Sequence, residues 1–342
     1  MTGRQITVLR AGPGVTVQDA GRPGWLGQGV SQGGAMDRVA RIEGAALLGQ
    51  AQTCAALEIA GSFLSLRVSA PCRIALTGAP MRAVCDGATL VWNASHALQA
   101  GAQLDLTGMA GGYSYAHFGG GIATDPVLGA RSSHLAAGIG AMLRAGDSLP
   151  LGPDPGTRTG LRLDPSPRFD GGTLRLVETP QTTLFPEAER VRFAAIGFSK
   201  DARANRMGQK LVPDGAGFAS ASGLTVLSET IVPGDVQITG DGAPFVLLAE
   251  CQTTGGYPRI GTVIPCDLPR LVQAPSGAIL RFQFIPLAEA VTLERAEHAR
   301  LAGLPRTLQP LLRNPRDMAD LLSYQLISGV TCGDDLERPD TC

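Results

Sequence analysis

Two short segments, far apart in the chain, combine polar or ionisable side chains with glycine. One contains Gln18, Asp19 and Arg22 around Gly21. The other is a continuous run of six residues: Gln252, Thr253, Thr254, Gly255, Gly256 and Tyr257. Glycine beside polar residues is typical of an unusual backbone angle or of a close approach between backbone and ligand. We therefore interpret both segments, with Asn205 and Arg206, as parts of one polar site.

Each segment also allows a purely structural interpretation. A turn at Gly21 would direct Asp19 and Arg22 into one pocket, but the same residues could form a surface turn with a local ion pair. Residues 252–257 follow an apolar strand-like run, which favours a site at a strand end. The alternative there is a tight glycine turn with Tyr257 packed on the core. The sequence alone leaves both alternatives open.

Composition excludes several classes of protein. The 29 Lys and Arg residues are matched by 30 Asp and Glu residues, which argues against a nucleic-acid partner. No apolar run approaches the roughly 20 residues that span a bilayer, so we expect no membrane association and a cytoplasmic protein. The seven cysteines form no Cys-x-x-Cys pair, which favours reduced thiols. We predict no metal site, and no P-loop motif is present.

The chain is predicted to be mainly β. Its 45 Gly and 24 Pro residues supply the turns that closely spaced strands need. Regular helices do not alternate with the strands, which favours barrels or sandwiches over a parallel sheet. The predicted strands are Ile6–Leu9, Phe63–Val68, Arg73–Leu76, Thr89–Trp92, Tyr113–Phe118, Leu174–Val177, Leu224–Leu227, Phe245–Ala249 and Ile279–Ile285.

Few helices are predicted. Asp37 can cap a helix that reaches about Leu48, and Asp267 can cap a shorter one. Helical spacing also appears in residues 288–300 and 316–327. A stretch rich in Pro and Gly, residues 152–167, is typical of a linker. We therefore predict a β-rich domain over residues 1–160, a second over 161–287, and a helical tail over 288–342.

Five motifs, in order along the chain, resemble those of one known family. They are Thr16–Arg22, Gly34–Asp37, Gly129–Ser132, Asn205–Gly208 and Gln252–Pro258. Together they resemble the biotin-dependent carboxyltransferase family, also called allophanate hydrolase subunit 2, over about residues 6–284. The resemblance implies two cyclophilin-like, β-barrel-like domains. It does not cover the tail from about residue 288.

The resemblance also implies a function. Stand-alone members similar to this chain are components of bacterial ATP-dependent 5-oxoprolinase, which cleaves 5-oxoproline to L-glutamate with ATP hydrolysis. The implied partners are A-like and B-like subunits, the latter related to kinase inhibitors, with ATP, with or without Mg, as the nucleotide. Two alternatives are a carboxyltransferase subunit of a biotin-dependent, urea carboxylase-like enzyme and a non-catalytic regulatory partner of the B-like subunit.

Residue roles follow from the matched motifs. We predict Asp19, Arg22 and Arg206 as catalytic residues. The predicted substrate-binding residues are Gln18, Asn205, Gln252, Thr253, Thr254, Gly255, Gly256 and Tyr257. The chain departs from the family pattern at Glu250-Cys251, where members usually have Asp-Gly, and at Tyr113, where they usually have Arg. These departures leave the identity of the substrate open.

Overall fold

The computed structural model describes residues 3–109, 111–221, 223 and 226–312. The helices are α1 (Arg38–Leu48), α2 (Glu187–Ala195), α3 (Leu268–Gln273) and α4 (Leu287–Gly303). The strands are β1 (Gln5–Ala11), β2 (Val15–Gln18), β3 (Ala56–Ala60), β4 (Phe63–Val68), β5 (Cys72–Gly78), β6 (Met81–Cys85), β7 (Ala88–Leu90), β8 (Ala94–Leu98), β9 (Gln103–Gly108), β10 (Tyr113–Phe118), β11 (Ser148–Pro150), β12 (Leu161–Arg162), β13 (Gly172–Val177), β14 (Phe198–Asn205), β15 (Gly208–Pro213), β16 (Glu229–Thr230), β17 (Asp235–Ile238), β18 (Pro244–Leu247), β19 (Thr254–Gly255), β20 (Arg259–Val263), β21 (Leu280–Phe284) and β22 (Gln309–Pro310). The predicted mainly β fold is confirmed.

The first unit consists of two sheets. Their strand orders are β11-β1-β4-β9-β6-β7 and β2-β3-β10-β5-β8-β12-β22. Side chains alternate across a strand, so one face of each sheet supplies apolar residues. Ile6, Leu64 and Leu104 from the first sheet join Leu57 and Ile74 from the second in one buried cluster. The core of this unit therefore lies between the sheets.

The second unit is a closed barrel with the strand order β13-β20-β17-β18-β15-β14-β21. Strands β13 and β21 pair in parallel and close it. Four aromatic rings pack together in its buried core, where Phe193 of α2 lies 4.6 Å from Phe282 and 5.1 Å from Phe198, measured between ring centroids. Phe218 completes the group at 5.2 Å from Phe193. The barrel thus has its own apolar core.

The helix predicted after Asp37 is confirmed as α1. The Asp37 carboxylate accepts hydrogen bonds from the backbone N–H groups of Val39 (2.9 Å) and Ala40 (3.0 Å), as an N-cap does. The helix lies on the seven-stranded sheet, where Gly44 faces the His117 ring. A Cβ atom at position 44 would lie 2.1 Å from His117 Cδ2, so only glycine allows this approach.

The predicted cap at Asp267 is wrong, although α3 begins directly after that residue. The Asp267 side chain makes no capping hydrogen bond to the helix. Its carboxylate instead accepts hydrogen bonds from the backbone N–H and the guanidinium of Arg175, at 2.7, 2.8 and 2.6 Å. The Asp267 carboxylate is therefore hydrogen-bonded to an arginine on strand β13 and does not cap the N-terminus of α3.

The chain returns to the first unit after the barrel. Helix α4 confirms the helical start of the tail, and β22 then pairs with β12, which is also bonded to β8. The domain boundaries at residues 160 and 287 stay predictions. Residues 316–327 lie outside the described residues, as does part of the predicted strand 224–227, of which 226 and 227 are not in a strand.

In the described part of the chain the cysteines carry free thiols, and they are Cys54, Cys72, Cys85, Cys251 and Cys266. None of the helices there combines the length and apolarity that crossing a bilayer requires.

Burial of His117 predicts a pH-dependent stability. Complete burial, with a smaller effect of the nearby Arg41 charge, lowers the pKa of His117 to about 3. An unfolded histidine has a pKa of about 6.5, so between these values the unfolded state binds more protons and stability falls as pH falls. Between pH 7 and pH 5 we expect His117 to lower the free energy of unfolding of the wild type by about 2 kcal/mol. His117→Gln is expected to abolish this part of the pH dependence. Urea unfolding at both pH values measures this, and an unchanged slope would contradict it.

Candidate functional site

Arg206 lies at the centre of a buried charge network between the two units. It occupies the tight turn between β14 and β15, where the Asn205 side-chain oxygen accepts hydrogen bonds from the N–H groups of Met207 (2.8 Å) and Gly208 (3.2 Å). This turn directs the guanidinium of Arg206 toward the first unit. There it donates to the carbonyl of Gly34 at 2.5 Å.

Two glutamates share the Arg206 guanidinium. Glu250, which follows β18, accepts from Nε at 2.5 Å, and Glu58 on β3 accepts from Nη1. Both glutamates are almost completely buried. Burial alone would lower the pKa of Arg206, but the charges of Glu58 and Glu250 outweigh that effect and raise it. Arg206 is therefore a permanent cation whose role here is to hold two carboxylates.

Glu58 extends the network into the first unit. Its second oxygen accepts hydrogen bonds from the hydroxyl of Tyr115 at 2.6 Å and from the backbone N–H of Met36 at 2.8 Å. The Tyr115 hydroxyl in turn accepts the N–H of Asp37 at 2.8 Å. Burial raises the pKa of Tyr115, with the nearby Glu58 charge as the next cause. The phenol therefore stays protonated as a donor to Glu58.

Glu250 also faces a buried histidine. Its second oxygen accepts the N–H of Ala136 at 3.1 Å and lies 4.0 Å from Nδ1 of His134. Because His134 Nδ1 accepts the N–H of Ala137 (3.2 Å), its Nε2 carries the proton and donates to Ser31 Oγ at 2.9 Å. Burial lowers the pKa of His134 more than Glu250 raises it. The imidazole is therefore neutral near pH 7.

The segment 18–22 lies against this network, and close backbone packing and hydrogen bonds to backbone N–H groups fix its conformation. Gly21 has a φ of +82°, and a Cβ there would lie 2.5 Å from the carbonyl oxygen of Gln32, so the position requires glycine. The Asp19 carboxylate accepts the N–H groups of Gly21 (2.8 Å) and Arg131 (2.6 Å). Asp19 therefore fixes the loop that carries Arg22.

Arg22 is a buried cation with donors left over. Its side chain donates to the carbonyl of Ser132 through Nη2, while Nε and Nη1 have no hydrogen-bond partner among the described residues. Burial lowers the pKa of Arg22, whereas Asp19 and Glu250 act in the opposite direction. The positive charge of Arg22 thus helps to balance Glu250, and its unpaired N–H groups are buried.

Other buried polar atoms around Arg22 also lack partners within the described ranges. They are Oε1 of Gln18 and Oγ of Ser132. Gln18 uses its amide nitrogen to bond Thr16 Oγ1 (3.0 Å) and the carbonyl of Ser133 (3.2 Å). Buried polar atoms are nearly always paired, so such a cluster distinguishes a polar site from ordinary core.

A cavity of about 510 Å³ opens beside the segment. Asp19, Gly33, Arg38 and Arg41 are among the residues that line it, and α4 contributes a wall through His298. This volume lies within the range of about 300–1,000 Å³ that small-molecule sites occupy. The predicted residue Asp19 therefore borders a space large enough for a small substrate.

The structure brings together only part of the predicted site. Gln18, Asp19 and Arg22 share one segment, and Arg206 approaches it through Gly34 and Glu250. Asn205 lines a different cavity of about 430 Å³, together with Lys200. Residues 252–257 lie elsewhere, where β19 pairs with β16 and Tyr257 is 42% exposed. None of these six residues lines the cavity beside Asp19. Their roles stay predictions.

Reasoning from the sequence missed most of the Arg206 network. Glu58, Tyr115 and His134 were not singled out, and Glu250 was noted only as a departure from the family pattern. Glu58 did give a signal, because it is a single carboxylate within an otherwise apolar strand, Ala56–Ala60. Among the described residues, no group of three or more His, Cys, Asp or Glu side chains is arranged to hold a metal ion.

Removing the Arg206 charge is expected to destabilise the protein. Arg206→Met would leave two buried carboxylates without their cation, which costs about 3–5 kcal/mol. The double variant Arg206→Met/Glu250→Gln is expected to recover part of this loss, because one buried charge is removed as well. Denaturant unfolding of these two variants and of the single variant Glu250→Gln measures the coupling. The control is Arg82→Met, an exposed arginine on β6. Equal losses in the single and double variants would contradict the prediction.

Two curated relatives are similar to this chain over most of its length. The C subunit of 5-oxoprolinase from Escherichia coli (strain K12) is 34% identical over 293 residues, which cover 84% of this chain and 93% of the relative. The C subunit of 5-oxoprolinase from Haemophilus influenzae is 30% identical over 306 residues, covering 88% and 98%. The resemblance inferred from the five motifs therefore holds along nearly the whole of both relatives.

A solved structure and a family model agree with these relatives. The urea carboxylase of Kluyveromyces lactis superposes with a TM-score of 0.76 over 91% of this chain and 31% of that one, and its 21% identity supports the fold alone. The family model described as "Carboxyltransferase domain, subdomain A and B" matches residues 28–284, which contain the barrel and most of the first unit. The chain therefore belongs to the family of carboxyltransferase domains built from subdomains A and B.

Proposed function

We propose that this chain is a subunit of an ATP-dependent 5-oxoprolinase complex. The observation that carries the proposal is the 34% identity to a protein named as the C subunit of 5-oxoprolinase, over 93% of that protein's length. The proposed reaction converts 5-oxoproline, ATP and water to L-glutamate, ADP and phosphate. The complex is proposed to act in the cytoplasm, with an A-like partner and a kinase-inhibitor-like B partner.

The chemistry requires a site that handles negative charge. A lactam is a poor electrophile, and phosphorylation of its carbonyl oxygen creates a leaving group. Water must then attack while the developing charge is stabilised. Arg22 is proposed to act on that charge through its positive charge across the cavity wall, because its unpaired N–H groups are buried and it does not line the cavity. Asp19 borders the cavity and is proposed to orient the substrate or water.

Arg206 is better suited to positioning than to contact with substrate. Its guanidinium already donates to Glu58, Glu250 and Gly34. Through Gly34 and Glu250 it supports the walls on which Arg22 and Asp19 lie. The substrate-binding roles of Gln18, Asn205 and residues 252–257 are kept as proposals. ATP, with or without Mg, is proposed as the phosphate donor of the complex, and no residue of this chain is assigned to hold the metal.

The family name supports a second candidate function, that of a carboxyltransferase subunit. Such a protein would act with a biotin-carrying chain on a urea-like acceptor. A third candidate is a regulatory protein that binds the B-like partner without turnover. These three candidates differ in what must copurify with the chain and in whether 5-oxoproline stimulates ATP hydrolysis.

The proposal predicts substrate-stimulated ATP hydrolysis by the assembled complex. The chain is co-expressed with its A-like and B-like partners, and ADP release is measured with and without 5-oxoproline. We expect stimulation that disappears when this chain is omitted. A complex that assembles and shows no stimulation would contradict the proposal. Copurification of a biotinylated protein would then favour the carboxyltransferase function, and its absence would favour the regulatory one.

A further inference from the structure

The cavity beside Asp19 has a charge pattern that neither the motifs nor the relatives assign to a ligand. It lies between the loop after β2, helix α1 and the last turns of α4. Its polar lining residues include Asp19, Gln32, Arg38, Arg41, Gln52 and His298. The arginines that the sequence singled out, Arg22 and Arg206, do not line it. The cations that do are Arg38 and Arg41, one turn apart on α1.

Both arginines retain donors for a ligand. A guanidinium has five N–H groups, and within the described part of the chain Arg41 gives one hydrogen bond, to the carbonyl of Gln52. Arg38 approaches Glu294 of α4 with Nη2 at 2.5 Å, and its Nε and Nη2 are both buried. The donors that Arg38 retains for a ligand are therefore those of Nη1. Planar guanidinium groups with free N–H donors are well suited to a carboxylate.

Asp19 supplies the opposite charge on the same wall. Its two oxygens accept backbone N–H groups from Gly21 and Arg131, so its position is fixed before any ligand binds. Each carboxylate oxygen can accept more than one hydrogen bond. The cavity therefore combines two donors for an anionic group with one acceptor for an N–H group.

We propose that this cavity binds a small cyclic amide that carries a carboxylate, with Arg41 and Arg38 holding the carboxylate and Asp19 accepting the ring N–H. This inference deepens the proposed function and rests on it for the identity of the ligand, 5-oxoproline, which has both groups on one five-membered ring. α4 provides one of the walls of this cavity.

The test compares the binding of two probes to the wild-type chain, to the variants Arg41→Gln and Arg38→Gln, and to a control variant. 5-Oxoproline and 2-pyrrolidinone share the lactam ring, but only the first has a carboxylate. Binding of each is measured by calorimetry and ligand-observed NMR, with the isolated chain and with the assembled complex. We expect the wild-type chain to prefer 5-oxoproline by about tenfold or more, the usual effect of a charge-assisted hydrogen bond. Arg41→Gln is expected to lose that preference while its binding of 2-pyrrolidinone remains, which also shows that the variant is folded.

The control is Arg82→Gln, which removes an exposed arginine on β6, outside the cavity. It is expected to keep the wild-type preference. If Arg41→Gln and Arg38→Gln also keep it, or if 5-oxoproline does not bind saturably to either the chain or the complex, the inference is wrong. If 5-oxoproline binds through Arg41 but does not stimulate ATP hydrolysis, the proposed function fails and the binding site stands. If 5-oxoproline stimulates ATP hydrolysis and Arg41→Gln leaves the KM for 5-oxoproline unchanged, the proposed function stands and the inferred binding site is wrong.

Discussion

The two halves of this protein meet around charges that neither half could bury alone. Glu58 belongs to the first unit and Glu250 to the barrel, and both are almost completely removed from water. An uncompensated buried carboxylate costs several kcal/mol, so each requires a cation in place. Arg206 meets both requirements from one turn, and its third bond, to Gly34, reaches the loop beside the candidate site. The geometry of that site thus depends on how the two units dock.

A second buried network fixes the helix that carries the cavity arginines. Arg168, in the connection between the units, bonds Asp37 at 2.8 Å and Glu43 at 2.7 and 3.0 Å. Burial raises the pKa of Glu43, and the Arg168 charge and hydrogen bonds are the main effects that oppose this shift. Gln273 of α3 adds a bond to Asp37 at 2.7 Å. Asp37 is therefore both the cap of α1 and one of the points where the barrel is attached. The directions of Arg38 and Arg41, which follow it on the helix, are set by the same contacts.

Local patterns predicted α1 and several of the strands because their causes are local. The strand-like runs Phe63–Val68 and Tyr113–Phe118 form β4 and β10 with the predicted bounds, and the capping of α1 involves residues two and three positions apart. The partners of Arg206 lie 148 and 44 positions away, so no window along the sequence contains them together. Asp267 failed as a predicted cap for the same reason, since Arg175 is 92 positions distant. The partners of these buried charged side chains are distant along the chain, and a single sequence does not show which residues pair.

The glycines that drew attention to the site have a physical role separate from ligand contact. A Cβ on Gly34 would lie 2.7 Å from the backbone nitrogen of Gly21, and one on Gly21 would lie 2.5 Å from the carbonyl of Gln32. The motifs Thr16–Arg22 and Gly34–Asp37 therefore pack backbone against backbone and form a thin, two-layered wall. That wall keeps Arg22 and His134 on the buried side, where a Cβ on Gly33 would lie 3.3 Å from Nη1 of Arg22. Asp19, Arg38 and Arg41 line the cavity on the other side. A larger residue at these glycine positions would move the two sets of charges apart. The glycines therefore set the distance over which the charge of Arg22 acts on a ligand in the cavity.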